Sequence, residues 1–351
     1  MTSRQETDTP DLDVVKGVLI ACIVAGHNTL LSFSVDNVQR VLYSFHVFGF
    51  LFLPFLVPAI SLNRRAIIDR CMRYLVPFSV FYTLSAILFL VVEQHGQGMF
   101  GWLKDYVLGL TIASAPLVDR ASGFQLYWFL PTLLALTILR GFLAEASSRL
   151  AAIILCALLA LHGLIGEAPK DIKTYVPLGL LIIIYVMPLG MIAGRLARGA
   201  PGGGWLSWAM LTVFVGTSAA MIIMETSVNL AALNLFTYAQ LPPLLLHDAN
   251  AVSAFVALVG LSRLLPLRRM WHALGRHSLE IYLFHSLIYQ VLLRLYQAAV
   301  ASRLVPDQPV VAGTVLFVAT CGLSYVAAKV GGSLPGWHLA FPRSLADWRR
   351  A

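Results

Sequence analysis

Charge is scarce in this chain. Asp, Glu, Lys and Arg make up 12% of its 351 residues, about half the share usual in soluble domains, whereas apolar residues reach 58%. Mean hydropathy is positive. That balance excludes a soluble globular protein and reads as a polytopic membrane protein with no room for a sizeable soluble domain. Cysteine is sparse too: Cys22, Cys71, Cys156 and Cys321 stand singly in or beside apolar runs, without metal-ligand spacing or an evident disulfide pair. The opening MTSRQETDTPDLD lacks the short apolar region and small-residue cleavage site of a secretory signal, so the first apolar segment is expected to remain as a span. There is no internal repeat and no low-complexity tract, and APGGGW at 200–205 reads as a hinge rather than a phosphate-binding loop. The net charge of +8 is assigned to membrane topology rather than to nucleic acid.

What is present is a series of apolar runs. The predicted spans are 14–34, 41–62, 74–93, 126–142, 149–166, 175–194, 205–224, 244–264, 277–297 and 309–331, and the shorter apolar piece 106–118 reads as re-entrant or interfacial. Cytoplasmic loops collect Lys and Arg, and with the N-terminus inside the inner segments hold 17 of the 25 basic residues. Arg4, Arg343, Arg349 and Arg350 are among them, while Lys170 and Lys173 fall outside. The expected fold class is therefore all-α, a polytopic membrane helix bundle of about ten transmembrane helices with both termini cytoplasmic. The longest outer loop, 94–125, carries His95, Lys104, Asp105, Asp119 and Arg120, and loops of such length are usually functional.

Two constellations stand out. The first is DVVKGVLIACIVAGH, Asp13 to His27. Asp13 and Lys16 are three apart and neighbours on a helix face, and Lys16 and His27, eleven apart, share one stripe roughly 16 Å from end to end. His27 thus lies well inside a hydrocarbon slab of about 30 Å, where a titratable group facing the bundle interior is either functional or a core histidine bonded to a carbonyl. The second is Arg70 and Arg73 in DRCMRYLVPF, a pair of guanidiniums suited to phosphate, to lipid head groups or simply to topology. His46, His247 and His285 each read alone as hydrogen-bonded packing groups, and Glu280 need not face His285.

Taken together, DVVKGVLIACIVAGH, SFHVFGFLFLPFL, RCMRYLVPF, YWFLPTLL and GRHSLEIYLFH, in this order between residues 13 and 285, resemble acyltransferase family 3 of integral membrane acyltransferases, especially the branch similar to fucose 4-O-acetylase. The resemblance implies a membrane acyltransferase domain over 13–335 between cytoplasmic tails 1–12 and 336–351, in the cell inner membrane. It implies transfer of an acyl group, usually acetyl, from cytoplasmic acetyl-CoA to a hydroxyl of an extracytoplasmic carbohydrate or glycolipid, with acyl-CoA as donor substrate and no permanently bound cofactor or metal. The family histidine falls on His27, as base or transient acyl carrier. The donor-binding residues fall on Lys16, Arg70 and Arg73, and candidate supporting residues are Asp13, His46, Tyr282 and His285. Many members carry arginine at the position of Lys16, and where the family shows Ser-Gly late in the second span this chain has Pro54 and Phe55, which predicts a different local backbone there. A transporter or flippase for a lipid-linked or acylated sugar, and transfer of another acyl group such as succinyl, are the alternatives.

Overall fold

The computed structural model describes residues 11–34, 36–92, 98–166, 174–226, 241–342 and 344–346. Residues 1–10 of the N-terminal tail, His95, Lys170, Lys173, Arg343 and 347–351 lie outside the described residues. Every regular element among those described is helical. Hydrocarbon offers backbone groups no partner, and a helix satisfies them within one segment. The chain divides into two compact units.

The first unit is drawn from 1–57, 189–228 and 241–331. It holds α1 (Leu12–Gly26), α2 (Thr29–Ser34), α3 (Asp36–Phe52) and the 3-10 turn Leu53–Leu56. The second, drawn from 58–188, 229–240 and 332–351, holds α4 (Arg64–Val92), α5 (Gly98–Ile112), α6 (Ala115–Ser122), α7 (Phe129–Glu145) and α8 (Ser148–Gly166). α9 (Leu178–Arg198) begins in the second unit and ends in the first. The first unit continues with α10 (Trp205–Ile223), α11 (Leu241–Leu261), α12 (Arg268–Arg276), α13 (Ser278–Ala301) and α14 (Pro309–Gly331), and the short α15 (Trp337–Ala340) returns to the second.

A helix coincides with each of the ten predicted spans. Among the described residues, seven segments are long and apolar enough to cross a membrane: Asn37–Leu56, Arg64–Val91, Leu126–Glu145, Ser148–Ile165, Trp205–Ile223, Leu241–Leu261 and Pro309–Gly331. The first predicted span fails that test because it is two helices: α1 stops at Gly26 after 15 residues and α2 starts at Thr29. The loop predicted over 94–125 is largely helical, since α5 and α6 occupy it. There Trp102, Tyr106, Tyr82 and Phe78 form one ladder of near-parallel rings at centroid spacings of 5.5, 5.4 and 5.7 Å, so the aromatic residues of α5 pack inward on α4. The described part of the predicted C-terminal tail packs on α4 as well, through Phe341 against Phe81 and the Leu345 N–H donating to Asp69 at 2.9 Å.

α1 is apolar on all sides, which fits a helix enclosed by others. Val14, Val15, Leu19, Ile20, Ile23 and Val24 are all buried. Its closest neighbour is α12, and glycine sets the approach: a Cβ on Gly17 would overlap the Trp271 carbonyl, and one on Gly275 the Asp13 carbonyl. Polar contacts fasten the same end. The Asp11 carboxylate accepts from the Val14 N–H as N-cap and from Arg268 Nε and Nη2 at 3.1 and 2.7 Å. Burial works to raise the Asp11 carboxyl, but the Arg268 bond, with help from Val14 and His272, outweighs it and holds the group below the ordinary carboxylate value.

Where the second span departs from the Ser-Gly pattern, the chain substitutes a different joint. Pro54 lies in the first turn of the 3-10 segment, the Phe55 ring fills the space left by Gly190 and the Phe55 carbonyl and Cβ that left by Gly194 of α9, and the same carbonyl accepts from Arg198 at 2.5 Å.

Candidate active site

The break between α1 and α2 presents His27. Its backbone N–H still closes the α1 ladder onto Ile23 O at 3.0 Å, and its Nδ1 lies 2.8 Å from the same carbonyl. A carbonyl only accepts, so Nδ1 carries the proton and the neutral ring keeps its lone pair on Nε2. Nε2 has no hydrogen-bond partner among the described residues, and the ring is half-buried rather than enclosed.

Three other rings surround it. His285 of α13 is 5.3 Å away between centroids, Tyr43 of α3 6.2 Å and His46 of α3 6.5 Å. Tyr43 and His46, three apart on one helix face, pack edge-on at 4.9 Å, and the Tyr43 hydroxyl donates to Gly26 O at 3.3 Å. His46 gives Nδ1–H to Leu42 O, and His285 gives it to Tyr282 O at 2.6 Å. Both rings are fully buried. The Ser286 hydroxyl stands 3.3 Å from His285 Nε2, whereas His46 Nε2 is buried without a partner. Of the three histidines, His27 alone combines an unpartnered Nε2 with incomplete burial of the residue.

Asn28 holds the break in place. Its side-chain amide donates to Gly313 O of α14 at 2.7 Å, and its carbonyl oxygen accepts from the Leu31 N–H at 3.2 Å, as an N-cap for α2, and from Tyr289 of α13 at 3.3 Å. Tyr289 lies one turn beyond His285, and its hydroxyl also meets Thr29 at 2.7 Å, so Asn28 ties the chain after His27 to the helix that carries His285. Misplacing a reacting group by about 1 Å costs on the order of 10²-fold. Asn28→Ala is therefore expected to lower kcat about 10²-fold while leaving the donor KM unchanged, measured on purified protein. Wild-type kcat in that variant would remove Asn28 from this role.

The other predicted residues are distributed as follows. Lys16 is bonded to Asp13 at 2.6 Å, and His272 of α12 lies 3.6 Å from the same carboxylate, so Asp13 serves the Lys16 end of α1 and not His27. Tyr282 supports His285 through its carbonyl, with the two rings 5.8 Å apart. Arg70 and Arg73 lie in the first turns of α4, in the second unit, with no ion-pair partner among the described residues. His247, in α11, packs against another face of α3. It packs on Phe48 at 5.1 Å, with Nδ1 3.5 Å from Asp248, and Asn250 one turn on bonds Ser44, Thr217 and Ser218.

Sequence reasoning missed Tyr43 and Asn28. The available signals were Tyr43 three residues before His46, and an asparagine directly before Thr29 in N-cap position. No group of three His, Cys, Asp or Glu placed to hold a metal ion occurs among the described residues.

Comparison with known proteins agrees with this picture at the family level. No curated protein and no solved structure matches the chain. The family model for acyltransferase family 3, described as an acyltransferase domain, matches residues 9–329, which takes in both helices of the break, the arginine pair of α4 and the histidine of α13. The chain belongs to acyltransferase family 3, as a multi-pass, all-helical membrane acyltransferase.

Proposed function

We propose that the protein is an O-acyltransferase of the cytoplasmic (inner) membrane. It moves an acyl group, in our reading acetyl, from acyl-CoA on the cytoplasmic side to a hydroxyl of a carbohydrate or glycolipid on the other side, with His27 as the reacting base or carrier. The observation that supports this is the hydrogen bonding of His27: Nδ1 is committed to Ile23 O, which leaves the lone pair on Nε2 without a partner among the described residues.

As base, Nε2 takes the hydroxyl proton while the alcohol oxygen attacks the thioester carbonyl. The C–S bond then breaks, and the departing CoA thiolate recovers the proton from Nε2, so protons and electrons balance without any further reactant. As nucleophile, Nε2 itself attacks the carbonyl and CoA leaves as thiolate; the alcohol then takes the acyl group from the acyl-imidazolium, its proton passing to the thiolate as the neutral imidazole is released. In either route the Ile23 carbonyl keeps its bond to Nδ1–H and steadies the positive charge on the ring.

The family resemblance offers Arg70 and Arg73, and separately Lys16, for the donor phosphates. Lys16 is the weaker contact, because Asp13 already holds its ammonium. Ten spans with both termini cytoplasmic, as the basic residues imply, would place the start of α1 on the donor side.

Labelled acetyl-CoA and succinyl-CoA, each incubated with purified protein and a panel of envelope glycans, test the reaction. Transfer to a glycan from one donor is the expected result, and transfer from neither overturns it. Charge-assisted bonds of this kind contribute about 1.5–3 kcal/mol, so Arg70→Ala and Arg73→Ala should each weaken CoA binding about 10- to 100-fold. Unchanged binding in both variants would remove the pair from the donor site.

A further inference from the structure

Among the described residues, α12 carries more cation than its neighbours neutralise. Arg268 is taken by Asp11, and Asp13 is shared by Lys16 and His272. Arg269 and Arg276 are exposed and have no ion-pair or hydrogen-bond partner among the described residues. Arg269, His272 and Arg276 stand at i, i+3 and i+7 of one helix, so they form a single stripe about 10 Å long. An uncompensated guanidinium pair flanking an imidazole recognises phosphate esters, whose oxygens accept the paired N–H bonds that a guanidinium offers.

The position of the stripe is defined by α1. Gly17 meets Trp271 and Gly275 meets Asp13, so α12 lies along residues 13–17 of α1, ten to fourteen residues before His27. At about 1.5 Å per residue that separation is roughly 15–21 Å. The extended pantetheine arm of acyl-CoA, which joins its phosphates to its thioester, is of comparable length. A ligand whose phosphates lay on α12 would bring its thioester to the level of His27, and both ends of that path belong to the same compact unit.

We infer that Arg269 and Arg276, flanking His272, form a binding site for the phosphate groups of the acyl-CoA donor. The inference rests on the acyl-CoA reading above and adds to its donor-binding residues, Lys16, Arg70 and Arg73, a second set on α12. Exposed guanidiniums at a membrane face also meet lipid phosphate, so the experiment separates the two sources.

The protein is purified into nanodiscs of zwitterionic lipid, and CoA binding is measured by calorimetry for wild type, for the double variant Arg269→Gln/Arg276→Gln and for Arg269→Lys/Arg276→Lys. We expect the Gln double variant to bind CoA about 10- to 100-fold more weakly, the Lys variant to fall between, and the wild-type affinity to drop with added salt. S-acetylpantetheine, which lacks the phosphates, should be bound equally by all three. Equal CoA affinity in wild type and Gln variant overturns the inference and leaves the acyltransferase reading standing. An equal loss with S-acetylpantetheine overturns it too, as it marks a general defect. A difference seen only in anionic nanodiscs assigns the stripe to lipid head groups. A wild type that binds no CoA overturns the underlying reading, and the inference with it.

Discussion

His27→Ala is expected to lower acyl transfer by about 10²–10⁴-fold, the range supplied by a positioned acid-base group, while the protein still inserts and accumulates. Only the ring is lost: the His27 N–H to Ile23 O bond is a backbone bond, and the Asn28 contacts that hold the break do not involve the imidazole. His46 and His285 are poor substitutes. Both are buried, and reaching the substrate would require α3 or α13 to move. Transfer at the wild-type rate in a folded His27→Ala protein would end the mechanism. Rapid acid quench of the wild type with labelled acetyl-CoA distinguishes the two roles of the ring. Label trapped on the protein and absent in the variant marks the carrier route, whereas label found only on CoA and product marks the base.

The second large effect belongs to Gly275. A methyl group there would overlap the carbonyl oxygen of Asp13, which is backbone and cannot swing aside, so Gly275→Ala must push α12 away from α1. Overpacking of this kind costs about 1–3 kcal/mol. The displacement would also strain the Asp11–Arg268 bond and the Asp13–His272 contact that lie at the same joint. We expect a clear fall in the temperature of thermal unfolding in detergent and in the amount of protein that accumulates. Gly322→Ala, in α14, is the control, since a Cβ there meets nothing within 4 Å. If the two variants melted together, the backbone contact between α1 and α12 would be refuted.

The helical class and the placing of helices on the ten apolar runs were legible in the sequence, because hydrocarbon leaves a chain of this composition few ways to satisfy its backbone. The stripe from Lys16 to His27 was legible too, being a property of one helix and its period. The break after Gly26 was not. It depends on Asn28 finding Gly313 and Tyr289, partners 285 and 261 residues away. The helical content of 98–122 escaped notice for a similar reason: its Trp102 and Tyr106 are packed by rings of α4, and an apolar piece of that length read alone is ambiguous.

Sequence by itself determined that this is a membrane bundle with an imidazole inside it and a family signature running along it. Tertiary structure alone decided which histidine has an unpartnered nitrogen without being fully buried, that Tyr43, His46 and His285 gather round it, and that two glycines let α12 lie against α1. Periodicity specifies which residues share a face of one helix. Which faces meet is set by packing between segments hundreds of residues apart, where one carbonyl or one missing methyl group decides the fit.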